Sequence, residues 1–328
     1  MPTTTAGRRY CLITPCRDEA RYARRTLDSV TSQTVPPALW VIVDDGSSDD
    51  TPKILAEYAE RFDYIKVVRR EDRGGRKVGP GVIDAFYAGF ETIDPDGFDY
   101  LCKFDLDLDL PLGYFEAVMR RMEAEPRLGT ASGKAYFPPH GTEDQDRRKP
   151  DGSIDTGDLI SEACGDEMSV GMIKFYRTAC YKQIGGFVRE VMWDGIDCHR
   201  CRMLGWLACS WDDPELRFIH LRAMGSSHKG ILTGRQRHGF GQWFMGTSFA
   251  YMSASALFRL TRPPVLIGGL AMWWGSVKSM LGGVKRYPDL EFRRFLRAYQ
   301  WSCLLLGKAE ATRRLNQSVA ERWQPGKQ

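Results

Sequence analysis

Leu39-Trp40-Val41-Ile42-Val43-Asp44-Asp45-Gly46-Ser47-Ser48-Asp49-Asp50-Thr51-Pro52 decides the fold class. Its opening apolar run is unbroken, as expected of a central strand buried on both faces. Asp44 to Ser48 end that strand in turn formers. Thr51 at an N-cap and Pro52 in the first turn then open a helix whose Leu55, Ala59 and Phe62 share one face. The same order recurs on either side. Residues 10–14 read as a strand, followed by a helix capped by Asp18 that runs to Ser32 and is stopped by Pro36-Pro37. Residues 65–68 read as a third strand, and Val82, Phe86 and Phe90 line a third helix. Residues 100–104 form a fourth strand that ends at Asp105. This alternation predicts an α/β fold with a mostly parallel, Rossmann-like central sheet flanked by helices.

In open parallel sheets the ligand sits beyond the carboxyl ends of the strands, where strand order reverses. Two acidic clusters, Asp44-Asp45 and Asp105-Leu106-Asp107-Leu108-Asp109, fall at such ends, which predicts a nucleotide and its metal there. The acid-x-acid spacing lets one carboxylate hold a hydroxyl pair while the next reaches a divalent cation. Mg²⁺ and Mn²⁺ commonly share oxygen ligands between one or two carboxylates and substrate phosphates. Asp105 and Asp107 are the expected ribose and metal pair, with Asp109 on the same side of an extended chain. Arg73, Arg76 and Lys77 flank Gly74-Gly75 and Gly79-Pro80-Gly81 ahead of the third helix, a setting suited to a phosphate.

The composition is that of a globular protein. Of 328 residues 43% are hydrophobic and 27% charged, with Gly 33 and Pro 17, which excludes disordered and collagenous chains. Nine scattered cysteines read as reduced buried thiols and predict a cytoplasmic setting. Residues 1–9 are polar and lack an apolar stretch, so no Sec signal peptide is expected. Cys198-His199-Arg200-Cys201 has no second cysteine pair at zinc spacing and reads as two helical thiols. The net charge of +4 hides a division: from Arg217 onward 18 Lys and Arg face four acids, or +14, which leaves −10 for the rest. A basic tail implies an anionic partner.

Three ordered motifs resemble the family 2 glycosyltransferases of the GT-A fold. They are Thr14-Pro15-Cys16-Arg17-Asp18-Glu19, then residues 41–51, then Lys103-Phe104-Asp105-Leu106-Asp107 with Pro111 and Tyr114 following. The resemblance runs on through Phe175-Tyr176-Arg177 and Ile184-Gly185-Gly186-Phe187. It implies inverting transfer from a nucleoside-diphosphate sugar, with Thr14, Pro15, Arg17 and Glu19 at the donor, Asp45 on the base, Asp105 at the ribose or diphosphate, and Asp107 on Mg²⁺ or Mn²⁺. It also implies a carboxylate base in a Glu-Asp pair at a helix start. Here the stretch reads Trp193-Asp194-Gly195-Ile196-Asp197 and the second acid falls at Gly195, so Asp194 and Asp197, three apart on a helix, are the candidate bases. His220 closes a strand-like run and is the candidate third metal ligand, ahead of His228 and His238.

The expected organisation is a catalytic domain over 8–225 and a basic, aromatic-rich helical extension over 226–328, with a mobile loop over 138–158 beside the site. Residues 265–284 are mostly apolar but hold Lys278, Trp273-Trp274 and five glycines, which suits a helix lying in a membrane interface. The expectation is a peripheral enzyme on the inner face of the cell membrane, acting on a lipid-linked or glycan acceptor. No nucleic-acid reader motif is present. The Gln-x-x-Arg-Trp motif of processive relatives is not matched by Gln236-Arg237-His238 or Gln242-Trp243, which favours single addition. A polyprenyl phosphate acceptor, already anionic and needing no base, is the alternative, and a non-catalytic nucleotide-sugar module is a further one.

Overall fold

The computed structural model describes residues 8–72, 74, 79–162, 164–222, 230–261 and 264–324. Their strands are β1 (Tyr10–Cys16), β2 (Leu39–Asp44), β3 (Ile65–Arg69), β4 (Tyr100–Phe104), β5 (Leu108–Asp109), β6 (Leu128–Phe137), β7 (Ile160–Ser161), β8 (Ile173–Arg177), β9 (Leu207–Trp211) and β10 (Arg217–His220). The sheet runs β3-β2-β1-β4-β8-β6-β10-β5, with β7 and β9 also paired to β6. β3, β2, β1 and β4 are parallel, and β8 runs antiparallel between β4 and β6.

The helices are α1 (Ala20–Thr31), α2 (Thr51–Arg61), α3 (Pro80–Phe90), α4 (Tyr114–Ala124), α5 (Thr178–Gln183), α6 (Trp193–Met203), α7 (Gly230–Met245), α8 (Phe249–Arg259), α9 (Ile267–Leu281), α10 (Leu290–Leu306) and α11 (Lys308–Ser318). Side chains alternate across a strand, so β1 and β2 feed two cores. Tyr10, Leu12, Trp40 and Ile42 pack with α1, α2 and α4 on one face. Cys11, Ile13, Val41 and Val43 face the other, toward α3, with α5 and α6 completing that layer. The first core is aromatic, with Tyr10 and Phe115 centroids 4.9 Å apart and Tyr100 and Phe175 5.1 Å apart, contacts worth about 0.5–1.5 kcal/mol each beyond their burial. The third helix buries Ile83 and Phe86, with Val82 and Phe90 only half-buried.

One local expectation changes, and two other segments gain detail. α1 begins at Ala20 with Glu19 in the cap position. Asp18 is instead left-handed, at φ 52°, and its Oδ1 accepts from the Ser48 amide at 2.8 Å, tying the β1 loop to the β2 loop. Residues 138–158 make several contacts with the body of the fold. Arg148 NH2 reaches Asp109 Oδ1 at 2.6 Å, Arg25 NH1 donates to the Glu143 carbonyl at 3.0 Å, and Ile154 and Leu159 are buried. The apolar run at 265–284 is helical only over α9, and among the described residues no helix is long and apolar enough to cross a membrane. α10 packs back on α6, where Phe292 and Leu296 join Ile196 of α6 and Met245 of α7 in one buried cluster.

Candidate active site

Parallel register brings the strand ends level. Cys16 of β1 stands beside Asp44 of β2, and the Asp45 amide donates to the Cys16 carbonyl at 2.9 Å. Ile13 pairs with Lys103, which carries the end of β4 to the same edge. Asp44 Oδ1 accepts from the Ser47 amide at 2.8 Å and closes the turn through Gly46. Only glycine fits at that turn: its φ is 76°, and a Cβ there would stand 2.6 Å from the Asp72 Cα. An open cavity of about 500 Å³ lies between this turn and residues 69–72. Arg70 NH1 donates to Asp45 Oδ1 at 2.9 Å, and Arg17 spans the Asp45 carbonyl, 2.9 Å, and Asp72 Oδ1, 2.6 Å. Neither Asp45 nor Arg17 lines this cavity, but each is bonded to a residue that does, Asp45 to Arg70 and Arg17 to Asp72, partners that the motifs did not reveal.

Beyond β4, Lys103 Nζ holds Asp105 Oδ1 at 2.5 Å and donates to the Gly171 carbonyl at 2.9 Å. Burial raises the Asp105 carboxyl, Lys103 opposes that, and the neighbouring Asp107 adds to it, leaving it above its ordinary value. The antiparallel pairing of β10 with β5 sets His220 against Leu108 and so brings the imidazole to Asp107. His220 Nε2 stands 3.4 Å from Asp107 Oδ2, and its Nδ1 is 2.8 Å from Glu162 Oε1. Arg222 bridges Asp107 Oδ2 and Glu19 Oε1, each at 2.5 Å. Burial would raise the Asp107 carboxyl, but His220 and Arg222 outweigh it and hold it well below the carboxylate range. Burial lowers His220, yet Asp107 and Glu162 raise it further, to about 10.

Asp107 Oδ1 is different: it is buried and has no hydrogen-bond partner among the described residues. Leaving a buried charged oxygen unpaired costs about 1–3 kcal/mol or more, so this atom fits a cation. No group of three or more His, Cys, Asp and Glu side chains among the described residues is arranged to hold a metal alone. The arrangement suits an ion that completes its shell with substrate phosphates.

α6 supplies the candidate bases and separates them. A Cβ added to Gly171 would stand 2.8 Å from Asp194 Oδ2, which places Asp194 over the backbone that also receives Lys103. Asp197 is buried. Lys174 Nζ lies 2.6 and 2.5 Å from its two oxygens, and the Tyr176 hydroxyl donates to it as well. Burial lowers the Lys174 ammonium, but Asp197 outweighs it and holds the group above its usual range. The ring of Trp193 lies 5.3 Å from Lys103 Nζ and 5.7 Å from Lys174 Nζ, joining the two lysines.

Other expected residues stand apart. The Thr14 hydroxyl is in the core, where it accepts from Trp40 Nε1 at 2.9 Å, and Pro15 beside it is buried. Asp109 is shared between Arg25 and Arg148 and does not join Asp107. His238 is on α7, 3.4 Å from Gln242 Nε2. Arg73, Arg76, Lys77 and His228 lie outside the described residues. Glu162 and Arg222 were missed, although Arg222 lies two residues beyond His220, a spacing that puts both on one side of an extended chain.

Residues 11–184 match the family model described as Glycosyl transferase family 2. A poly-beta-1,6-N-acetyl-D-glucosamine synthase of Staphylococcus epidermidis is 29% identical over 119 residues, 36% of this chain and 26% of that protein. The chain spans about a quarter of the length of the curated relatives it matches. In fold it is similar to the mannosyltransferase PcManGT from Pyrobaculum calidifontis, solved in complex with GDP-Man and Mn²⁺, at a TM-score of 0.50 and 17% identity over 97% of this chain and 87% of that one. GalNAc-T7, solved with UDP, GalNAc and Mn²⁺, superposes at 0.53 with 15% identity, covering 91% of this chain and 58% of its own.

Proposed function

Because this chain belongs to glycosyl transferase family 2, we propose that it transfers a single sugar, with inversion, from a nucleoside-diphosphate sugar to a lipid-linked or glycan acceptor at the inner membrane face. The observation that carries the reading is Asp107 Oδ1, partnerless among the described residues, beside Asp105 at the end of β4. Both solved neighbours were crystallised with Mn²⁺ and a nucleotide or nucleotide sugar, and the relative's name is that of a polysaccharide synthase.

Asp107 would hold Mg²⁺ or Mn²⁺ through Oδ1, together with phosphate oxygens of the donor. When bound, the ion neutralises charge that builds on the leaving diphosphate. Asp45 and Arg17 would contact the base next to the cavity beside Gly46, which their partners Arg70 and Asp72 line, with Asp105, held by Lys103, toward the ribose. Arg222 and His220 keep Asp107 ionised and add positive charge where the diphosphate departs. Asp194 takes the proton from the acceptor hydroxyl, while Asp197, engaged by Lys174, holds α6 in place. The catalytic part is assigned to 8–225 and the acceptor-side, membrane-facing part to 226–328.

The test is transfer of labelled sugar from a donor panel into a membrane lipid extract. Label entering the extract with one donor, and not with Asp107→Asn, supports the reading. Nucleotide-sugar binding without transfer to any lipid or glycan acceptor would leave a binding module instead.

A further inference from the structure

The outer face of α9 carries a stripe that runs opposite to that of a water-facing helix. Its buried positions are mainly small: Gly268, Gly269, Gly275, Ser276 and Ser279, with Met272. Its outward positions are large and apolar: Ile267 is 56% exposed, Leu270 59%, Trp274 48% and Leu281 73%. Spacings of three, four and seven put these four on one side of the helix.

α9 has little freedom to roll and hide them. A Cβ on Gly275 would stand 2.1 Å from the Gln236 carbonyl of α7, one on Gly269 2.5 Å from the Ala256 carbonyl of α8, and one on Gly239 of α7 1.9 Å from the Met272 carbonyl. Backbones this close require glycine, and small residues between helices with large apolar ones outside is the arrangement of proteins whose outer solvent is lipid. Val265 and Leu266 just ahead of α9, and Leu257 and Phe258 of α8, are also more than half exposed. Large apolar residues left to solvent in such number mark an interaction site.

Charge selects the occupant. Between Gly230 and Pro288, the stretch that holds α7, α8 and α9, there are seven Lys and Arg and no Asp or Glu. A second copy docked on this face would set cations against cations, whereas an anionic bilayer complements them. Lys278, exposed between Trp274 and Leu281 in sequence, can extend its ammonium to the headgroups while its stem stays apolar.

We propose that α9 lies in the plane of an anionic phospholipid bilayer, with Ile267, Leu270, Trp274, Leu281 and the preceding Val265 and Leu266 entering the acyl boundary. This deepens the membrane-face reading above and rests on it. The experiment is cosedimentation of the full chain with phosphatidylcholine vesicles, with and without phosphatidylglycerol, for the wild type, Leu270→Glu/Trp274→Glu and the milder Leu270→Ser. Unchanged melting temperatures and nucleotide-sugar binding verify the folds. The expected result is binding that needs phosphatidylglycerol and falls at least ~10-fold in the double variant, with Leu270→Ser between. Variants that bind like the wild type would overturn the α9 assignment and leave a membrane enzyme docked elsewhere. A wild type that ignores both vesicles but self-associates through this face, losing that in Leu270→Glu/Trp274→Glu, would overturn both readings.

Discussion

Lys174 on β8 grips both oxygens of Asp197 on α6, at 2.6 and 2.5 Å, with neither side chain open to solvent. The same ammonium donates to the Asp194 carbonyl at 2.7 Å, so one buried cation sets the first turn of α6 and with it the position of Asp194. The two aspartates therefore have different settings: Asp197 is bound into the fold, and Asp194 is the one left for the proposed reaction.

Replacement of each separates these roles. Asp194→Asn is expected to leave the melting temperature unchanged and lower kcat by about 10²–10⁴-fold, the range for losing a general base. Asp197→Asn is expected to lose about 3–5 kcal/mol of stability, because Lys174 stays buried without its counter-charge. Denaturant titrations and steady-state rates on both variants check this. Full turnover in Asp194→Asn would mean an acceptor that needs no base, as a polyprenyl phosphate does.

Gly46→Ala should damage the donor cavity. The left-handed φ of 76° and the 2.6 Å approach to the Asp72 Cα both resist a methyl group, and such strain costs about 1–3 kcal/mol. The loop can relieve it by moving residues 69–72, which carry Arg70 and Asp72. Nucleotide affinity by calorimetry should then fall more than stability does. Unaltered affinity would show that this turn does not shape the donor site.

His199 makes the contact between α6 and α10 sensitive to acid. Its buried ring lies 5.5 Å from that of Tyr299 and 6.3 Å from that of Phe292, and burial lowers its pKa from 6.5 to about 3. Since the folded state favours neutral imidazole, its stability contribution is complete above pH 6.5 and is lost as the pH falls toward 3. The slope is at most about 1.4 kcal/mol per pH unit. Unfolding free energies from pH 7 to 4 should fall less steeply in His199→Phe than in the wild type. Parallel curves would remove His199 from the account.

The parts legible in the sequence are those whose physics is local. The apolar run 39–43, its Asp-Asp-Gly-Ser ending and the acids after Phe104 each declare a strand end, and parallel pairing brings such ends together. The remainder depends on partners distant along the chain. Asp18 is drawn from its cap position by the Ser48 amide, residues 138–158 are held by Asp109 and Arg25, and Asp197 is pulled inward by Lys174. Glu162 reaches His220 only because β7 pairs with β6. In α9 the small and large residues are plain to read, but which of the two sets faces inward is decided by the glycine contacts with α7 and α8.

The central claim is that Asp107 binds a divalent cation jointly with a nucleotide sugar, and thermal stabilisation tests it most directly. A ligand that binds only the folded state raises stability by RT ln(1+[L]/Kd). Melting the wild type and Asp107→Asn against a panel of nucleotide sugars, with and without Mn²⁺, should give a Mn²⁺-dependent shift for one nucleotide that vanishes in Asp107→Asn. A shift of equal size in both proteins, or one indifferent to Mn²⁺, would contradict the account.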